Sequence, residues 1–215
     1  MRLDVDLADA AGGDAGDHLG RQAGRRLDPR ILRRGGADRH AERRVARIGD
    51  EADEEIGFME KMEAHEKALL HRAFSVFVFN SSGEMLLQQR ASEKYHSANL
   101  WTNTCCSHPR PGETVAAAAD RRLVEEMGFN TPLQKAFDFV YKAPFDNGLT
   151  EYEFDHVFIG TFEGAIEPNP LEVQAHAFRS FDAIESLIQS DPGQFTSWFL
   201  IAFPKVKDWW QEKYR

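Results

Sequence analysis

Between residues 74 and 79 the chain reads Phe74-Ser75-Val76-Phe77-Val78-Phe79, β-branched or aromatic at every position but one. Such side chains suit a pleated surface better than a helix. The run stops at the turn formers Asn80-Ser81-Ser82-Gly83, and Met85-Leu86-Leu87-Gln88-Gln89 follows. Together they predict a β-hairpin. More strands are predicted over residues 137–141 and 151–162, across a Pro/Asp/Asn/Gly loop, and over 175–180. A helix is predicted over 114–127, with Thr114 as its N-cap and Gly128 as its stop. Two others fall at 182–189 and 197–214, the second interrupted at Pro204. Strands and helices are mixed without a strict βαβ repeat. The expected class is α/β (α+β), a mixed sheet between helices.

Composition sets the limits of that fold. In residues 1–50 there are eleven arginines, no lysine and no aromatic residue. Residues 1–48 therefore read as a disordered, solvated tail, and 49–215 as the folded domain. Eleven basic residues face nine acidic ones in residues 1–50, whereas the remainder has fifteen against 26. An acidic body argues against a nucleic-acid partner. It still allows a phosphorylated small molecule held by a few cations and a divalent metal. No apolar run approaches the roughly 18 residues of a membrane span. Two cysteines and no apolar leader imply a reducing, cytoplasmic setting.

Those two cysteines are adjacent, in Asn103-Thr104-Cys105-Cys106-Ser107-His108-Pro109. Disulfide geometry needs two facing segments, so they are not staples. They are small buried hydrophobes or a reactive thiol site. In and around the predicted helix, Glu113, Arg121, Leu123, Glu125, Glu126, Gly128 and Phe129 resemble the Nudix box. The box's leading Gly is here Ser107, and its Glu after the first Arg is here Arg122. A carboxylate at 122 would share a helical face with Glu125 and Glu126 and complete a cation-binding cluster for pyrophosphate hydrolysis. Arg122 puts that cluster in doubt. In Glu151-Tyr152-Glu153-Phe154-Asp155-His156, strand alternation sends Glu151 and Glu153 out of one face. His65, His71 and His108 could join that pair in a five- or six-coordinate transition-metal site.

With these blocks in order, the chain resembles the type I isopentenyl-diphosphate Δ-isomerases over about residues 55–200. The resemblance implies a Nudix-like sheet and a reversible shift of a proton between isopentenyl and dimethylallyl diphosphate through a tertiary carbocation. It implies Cys106 and Glu153 as acid/base partners, Tyr141 as helper of the carboxylate, and Trp198 as an indole facing the cation. Lys61, Arg90, Lys94 and Arg122 map to diphosphate contacts. His65, His71, His108, Glu151 and Glu153 map to a divalent metal site (Mn2+, Zn2+ or Mg2+), and Glu126 to an Mg2+ that accompanies the diphosphate. A Nudix pyrophosphohydrolase is the alternative. One departure falls at the start. Where the family has an apolar strand, this chain has Arg43-Arg44-Val45-Ala46-Arg47-Ile48-Gly49, which reads as part of the tail.

Overall fold

A computed structural model describes residues 45–94, 96–145 and 147–214. The disorder expected over residues 1–44 lies outside them. In chain order the elements are β1 (Val45–Gly49), β2 (Glu55–Glu60), α1 (Lys61–Glu66), β3 (His71–Phe79), β4 (Met85–Arg90), β5 (Trp101–Thr102) and β6 (Cys105–Ser107). They continue with α2 (Val115–Met127), β7 (Gln134–Pro144), β8 (Thr150–Thr161), β9 (Val173–Arg179), α3 (Phe181–Ser190) and α4 (Ser197–Lys213). The strands form one mixed sheet, the expected class.

Strand β3 is its hub. It runs parallel to β8 from His71↔Glu153 to Phe79↔Thr161. On its other side it pairs antiparallel with β6 through Ser75↔Cys106, and meets β1 at Ile48↔His71 and β4 at Phe79↔Met85. The apolar run 74–79 is continuous because both faces of β3 are buried. Phe77 and Phe79 join Val157, Ile159, Ile184, Phe199 and Phe203 in a core under α3 and α4. Phe74, Val76 and Val78 join Phe158, Leu123 and Met127 in a second core under α2. Each such side chain removed from water contributes roughly 1.5–3 kcal/mol. Helix α2 begins where Thr114 accepts a hydrogen bond from the Ala117 amide at 3.2 Å. It ends at Gly128, whose φ is +75° and where a Cβ would stand 2.1 Å from the Glu167 carbonyl oxygen.

Two expectations are corrected. The tail does not extend through residue 48, because Val45–Gly49 is strand β1, paired along β2. Ala46 and Ile48 are buried beside Met59 and Ala64, and Arg47 donates to Glu55 and to the Glu113 carbonyl, both at 2.7 Å. Two inward apolar side chains at alternate positions suffice for a short strand between β2 and β3, and an average over the arginine-rich stretch hides them. Nor is the last helix broken at Pro204: α4 is continuous from Ser197 to Lys213. Pro204 is exposed, while Phe199, Phe203 and Val206 beside it are buried. The missing hydrogen bond and ring clash cost about 3 kcal/mol. Burying three large side chains outweighs that. No helix of the described residues is long and apolar enough to cross a membrane.

Candidate active site

The sheet face under α3 and α4 carries the reactive groups. Cys106 sits opposite Ser75 in the β3–β6 ladder and therefore projects to that face, while Cys105 opposite Val76 enters the α2 core. On β8, Glu151, Glu153 and Asp155 share the same face, and Tyr141 comes from β7 opposite Glu153. The Tyr141 hydroxyl lies 2.7 Å from Glu153 Oε2 and 3.1 Å from Glu151 Oε2. Trp198, in the first turn of α4, donates its Nε1–H to Asn103 Oδ1 at 3.3 Å. Cys106, Tyr141, Glu151, Glu153 and Trp198 all line one cavity.

Burial sets their protonation. It pushes the Cys106 thiol up to about 12; Arg90 pulls the other way, and the Glu126, Glu151 and Glu153 charges reinforce the rise. The thiol is held as a neutral S–H. Burial and then the two neighbouring carboxylates push the Tyr141 phenol up, so it stays a donor. Burial, followed by the Glu153 charge, holds Glu151 well above the usual carboxylate range. Burial acts on Glu153 in the same sense, but His108, 3.0 Å from its Oε1, and then His71 pull its carboxyl the other way, well below the usual range.

Behind the cavity three imidazoles converge. One ligand atom from each of His65, His71, His108 and Glu153 lies within 4.8 Å of the others. His65 Nδ1 faces the Lys61 carbonyl at 2.7 Å, and His71 Nδ1 the Leu69 carbonyl at 2.8 Å. Both carbonyls fix the proton on Nδ1 and leave the two Nε2 atoms as acceptors. Those Nε2 atoms are buried and lack a hydrogen-bond partner. Burial, aided by the Lys61 charge, drops His65 to about 4 and His108 well below its ordinary value. Two orphaned Nε2 atoms converging with His108 and Glu153 are the donor set a divalent metal takes. Glu151 is held by Tyr141 and is not among the four.

The remaining expected residues form the mouth. Lys61, Arg90, Lys94, Arg122 and Glu126 line the same cavity. Arg122 bonds Glu125 at 2.7 Å and also pairs with Glu126, whose other oxygen accepts from Gln88 Nε2 at 3.0 Å. The cation at 122 thus lies on the acidic pair that a hydrolytic cluster would need. Arg90 donates to the carbonyls of Ser97 at 3.1 Å and His96 at 3.2 Å. Its guanidinium stands 5.1 Å from the centre of the Trp198 ring. Lys94 pairs with Glu172, which also lies 3.3 Å from Arg122.

Three groups here escaped sequence reasoning. Glu172 had no motif to mark it. His96 lines the cavity from the loop after β4, and its nearness to Arg90 and Lys94 in sequence was the available signal. Asp155, adjacent to the motif carboxylates, accepts from Ser75 Oγ at 2.8 Å, and burial and then the Glu153 charge push it up to about 8.

Comparison with known proteins decides the family. The NUDIX domain matches residues 69–199. An isopentenyl-diphosphate Delta-isomerase of Pectobacterium atrosepticum is 49% identical over 162 residues, 75% of this chain and 90% of that protein. The chain belongs to the isopentenyl-diphosphate Delta-isomerase family. The family's enzymes from Serratia proteamaculans and Burkholderia multivorans are 48% and 49% identical, over 70% of this chain and 84% and 85% of theirs. Solved structures share the Nudix fold alone: a Deinococcus radiodurans protein has a TM-score of 0.57 at 18% identity, covering 68% of this chain and 90% of its own. The MutT protein of Methanosarcina mazei has a TM-score of 0.54 at 16% identity, over 68% and 96%. In this isomerase chain Lys61 and His65 come from α1, upstream of the matched domain.

Proposed function

We propose that this chain interconverts isopentenyl and dimethylallyl diphosphate, with Cys106 and Glu153 as the acid/base pair. The observation that carries the reading is the cavity shared by a neutral thiol and a Tyr141-bridged carboxylate pair. Cys106 and Glu153 stand on β6 and β8, which flank β3, and pair with Ser75 and His71, so their backbones lie two strand spacings apart across the sheet and four residues apart along it, roughly 16 Å. A flat five-carbon unit fits between them. One group adds a proton to the terminal methylene, the positive charge rests on the tertiary carbon, and the other removes a proton from the carbon next to the diphosphate-bearing one. Tyr141 holds a proton between Glu151 and Glu153 and aims the carboxylate. The indole face of Trp198, which lines the same cavity, would stabilise the cation.

Lys61, Arg90, Lys94 and Arg122 would hold the diphosphate, whose charge the acidic body could not otherwise tolerate. His65, His71, His108 and Glu153 would hold a divalent ion, Mn2+, Zn2+ or Mg2+, with Glu151 as a fifth ligand, and Glu126 would meet Mg2+ brought by the substrate. The resident ion supplies charge that fixes Glu153 and tunes its proton affinity. The ion pairs of Arg122 with Glu125 and Glu126 speak against the hydrolytic alternative. The test is isomerisation in D2O followed by NMR. Deuterium is expected in a methyl group of the dimethylallyl product, in the wild type and not in Cys106→Ser. Equal label in both would remove Cys106 from the chemistry.

A further inference from the structure

The carbocation of the proposed reaction must be kept from water, which would trap it as a tertiary alcohol. The core accounts for one wall of the cavity, through Phe74, Tyr141 and Trp198. The loop between β4 and β5 accounts for another, and the loop between β7 and β8 backs it from outside. His96 stands on the first loop and lines the cavity, with 8% of its side chain exposed. Its ring meets Trp198 edge-on, centroids 5.8 Å apart at 81°. On the second loop Phe145 stacks on the same imidazole, centroids 5.3 Å apart at 26°. Phe145 itself is not a lining residue but packs against the core that holds Trp198. His96 is therefore clamped between Trp198 and Phe145, and the clamp ties the two loops together at the cavity wall.

Both loops are built to hold these rings. Arg90 donates to the carbonyls of His96 and Ser97 and fixes the first loop from below. Ser97 and Asn99 take left-handed backbone conformations, φ +50° and +64°, so the loop turns back sharply on either side of Ala98. The Phe145 amide donates to the Leu149 carbonyl at 2.8 Å and its carbonyl accepts from Gly148 at 3.1 Å, closing a turn that presents the ring. Such ring contacts are favoured beyond the burial they bring, so the two loops hold each other in place. The seal is reached through two elements with no part in the catalytic motifs.

We propose that His96, backed by Phe145, is a further positioning residue of the isomerase: the stack seals the isoprenyl end of the cavity and keeps water from the carbocation. The inference rests on the isomerase reading above. Without the seal, a water oxygen bonds to the tertiary carbon, one proton leaves that oxygen for a nearby base, and a tertiary alcohol diphosphate replaces the alkene. No other reactant is required.

The experiment supplies isopentenyl diphosphate and Mg2+ in H218O and quantifies dimethylallyl diphosphate and 18O-labelled tertiary alcohol diphosphate by mass spectrometry. The wild type is expected to give the isomer with the alcohol as a trace. His96→Ala and Phe145→Ala are expected to raise the alcohol-to-isomer ratio at least tenfold. His96→Phe, which keeps a ring to stack on, is expected to restore the wild-type ratio, and Phe145→Leu to fall between. Alanine variants that are folded by circular dichroism and slower, yet form no labelled alcohol, would overturn the seal and leave the isomerase reading intact. A His96→Phe variant leaking as much as His96→Ala would also overturn it. A wild type that forms no isomer would sink the isomerase reading and the seal with it.

Discussion

Adjacent residues carry opposite duties at Cys105 and Cys106. Strand alternation sends one thiol into the α2 core and the other into the cavity. Cys106→Ser is predicted to lower kcat by roughly 10²–10⁴-fold, the usual worth of a placed general acid, with unchanged melting. Cys105→Ser should change kcat by less than about threefold, since it touches no reacting atom. Steady-state kinetics on the two variants checks both, and the reverse ranking would show the wrong thiol has been chosen. The raised Cys106 pKa gives a second test in a Cys105→Ser background. A thiol titrating near about 8.5 reaches its full alkylation rate soon above that pH. The Cys106 thiol, held up to about 12, should keep gaining reactivity with iodoacetamide across pH 9–11. A plateau by pH 9 would contradict the assigned burial. The imidazole cluster makes a third prediction: purified protein should hold about one divalent ion per chain, and His65→Ala should lose it by elemental analysis. Retention of the ion in that variant would remove His65 from the site.

At the scale of elements, β1 is where the sequence misled. A chain starting at Val45 is predicted to match the full chain in melting temperature and activity. A chain starting at Glu51 loses the burial of Ala46 and Ile48 and the ladder to β2. Losing Ile48 alone is worth about 2–4 kcal/mol, or roughly 5–15 °C for a domain of this size. Calorimetry of the two truncations measures this, and equal melting would show that β1 adds nothing to the sheet. Gly128→Ala should destabilise by about 1–3 kcal/mol, through its left-handed φ and the clash with the Glu167 carbonyl. Strand β3 and helix α2 were legible because each announces itself locally, by an unbroken apolar run and by a cap at each end. Strands β1 and β2, α1 and the two short strands β5 and β6 were not. Their positions are set by long-range pairing, as in Ile48↔His71 and Ser75↔Cys106, which leaves little trace in local composition. Pro204 erred the other way: its local veto on helix is real, but the buried face of α4 overrides it.

In a chain of net charge −9, Lys61, Arg90, Lys94 and Arg122 gather at one cavity beside Glu126 and Glu172, where the proposed diphosphate would sit. The same arrangement places Arg122 where a Nudix hydrolase would need a third carboxylate. The sheet and α2 are those of the NUDIX domain, while Cys106, Glu153 and the imidazole cluster face the opposite side of β3 from α2. The motif residues were legible by type and spacing. Their convergence was not, because Glu153 comes from β8, His65 from α1 and His108 from the turn after β6, which only the sheet topology brings together. The most direct test incubates the full chain with isopentenyl diphosphate and Mg2+, and follows dimethylallyl diphosphate and released phosphate in the same sample. The predicted result is the isomer without phosphate, abolished in Cys106→Ser. Phosphate without the isomer would contradict it.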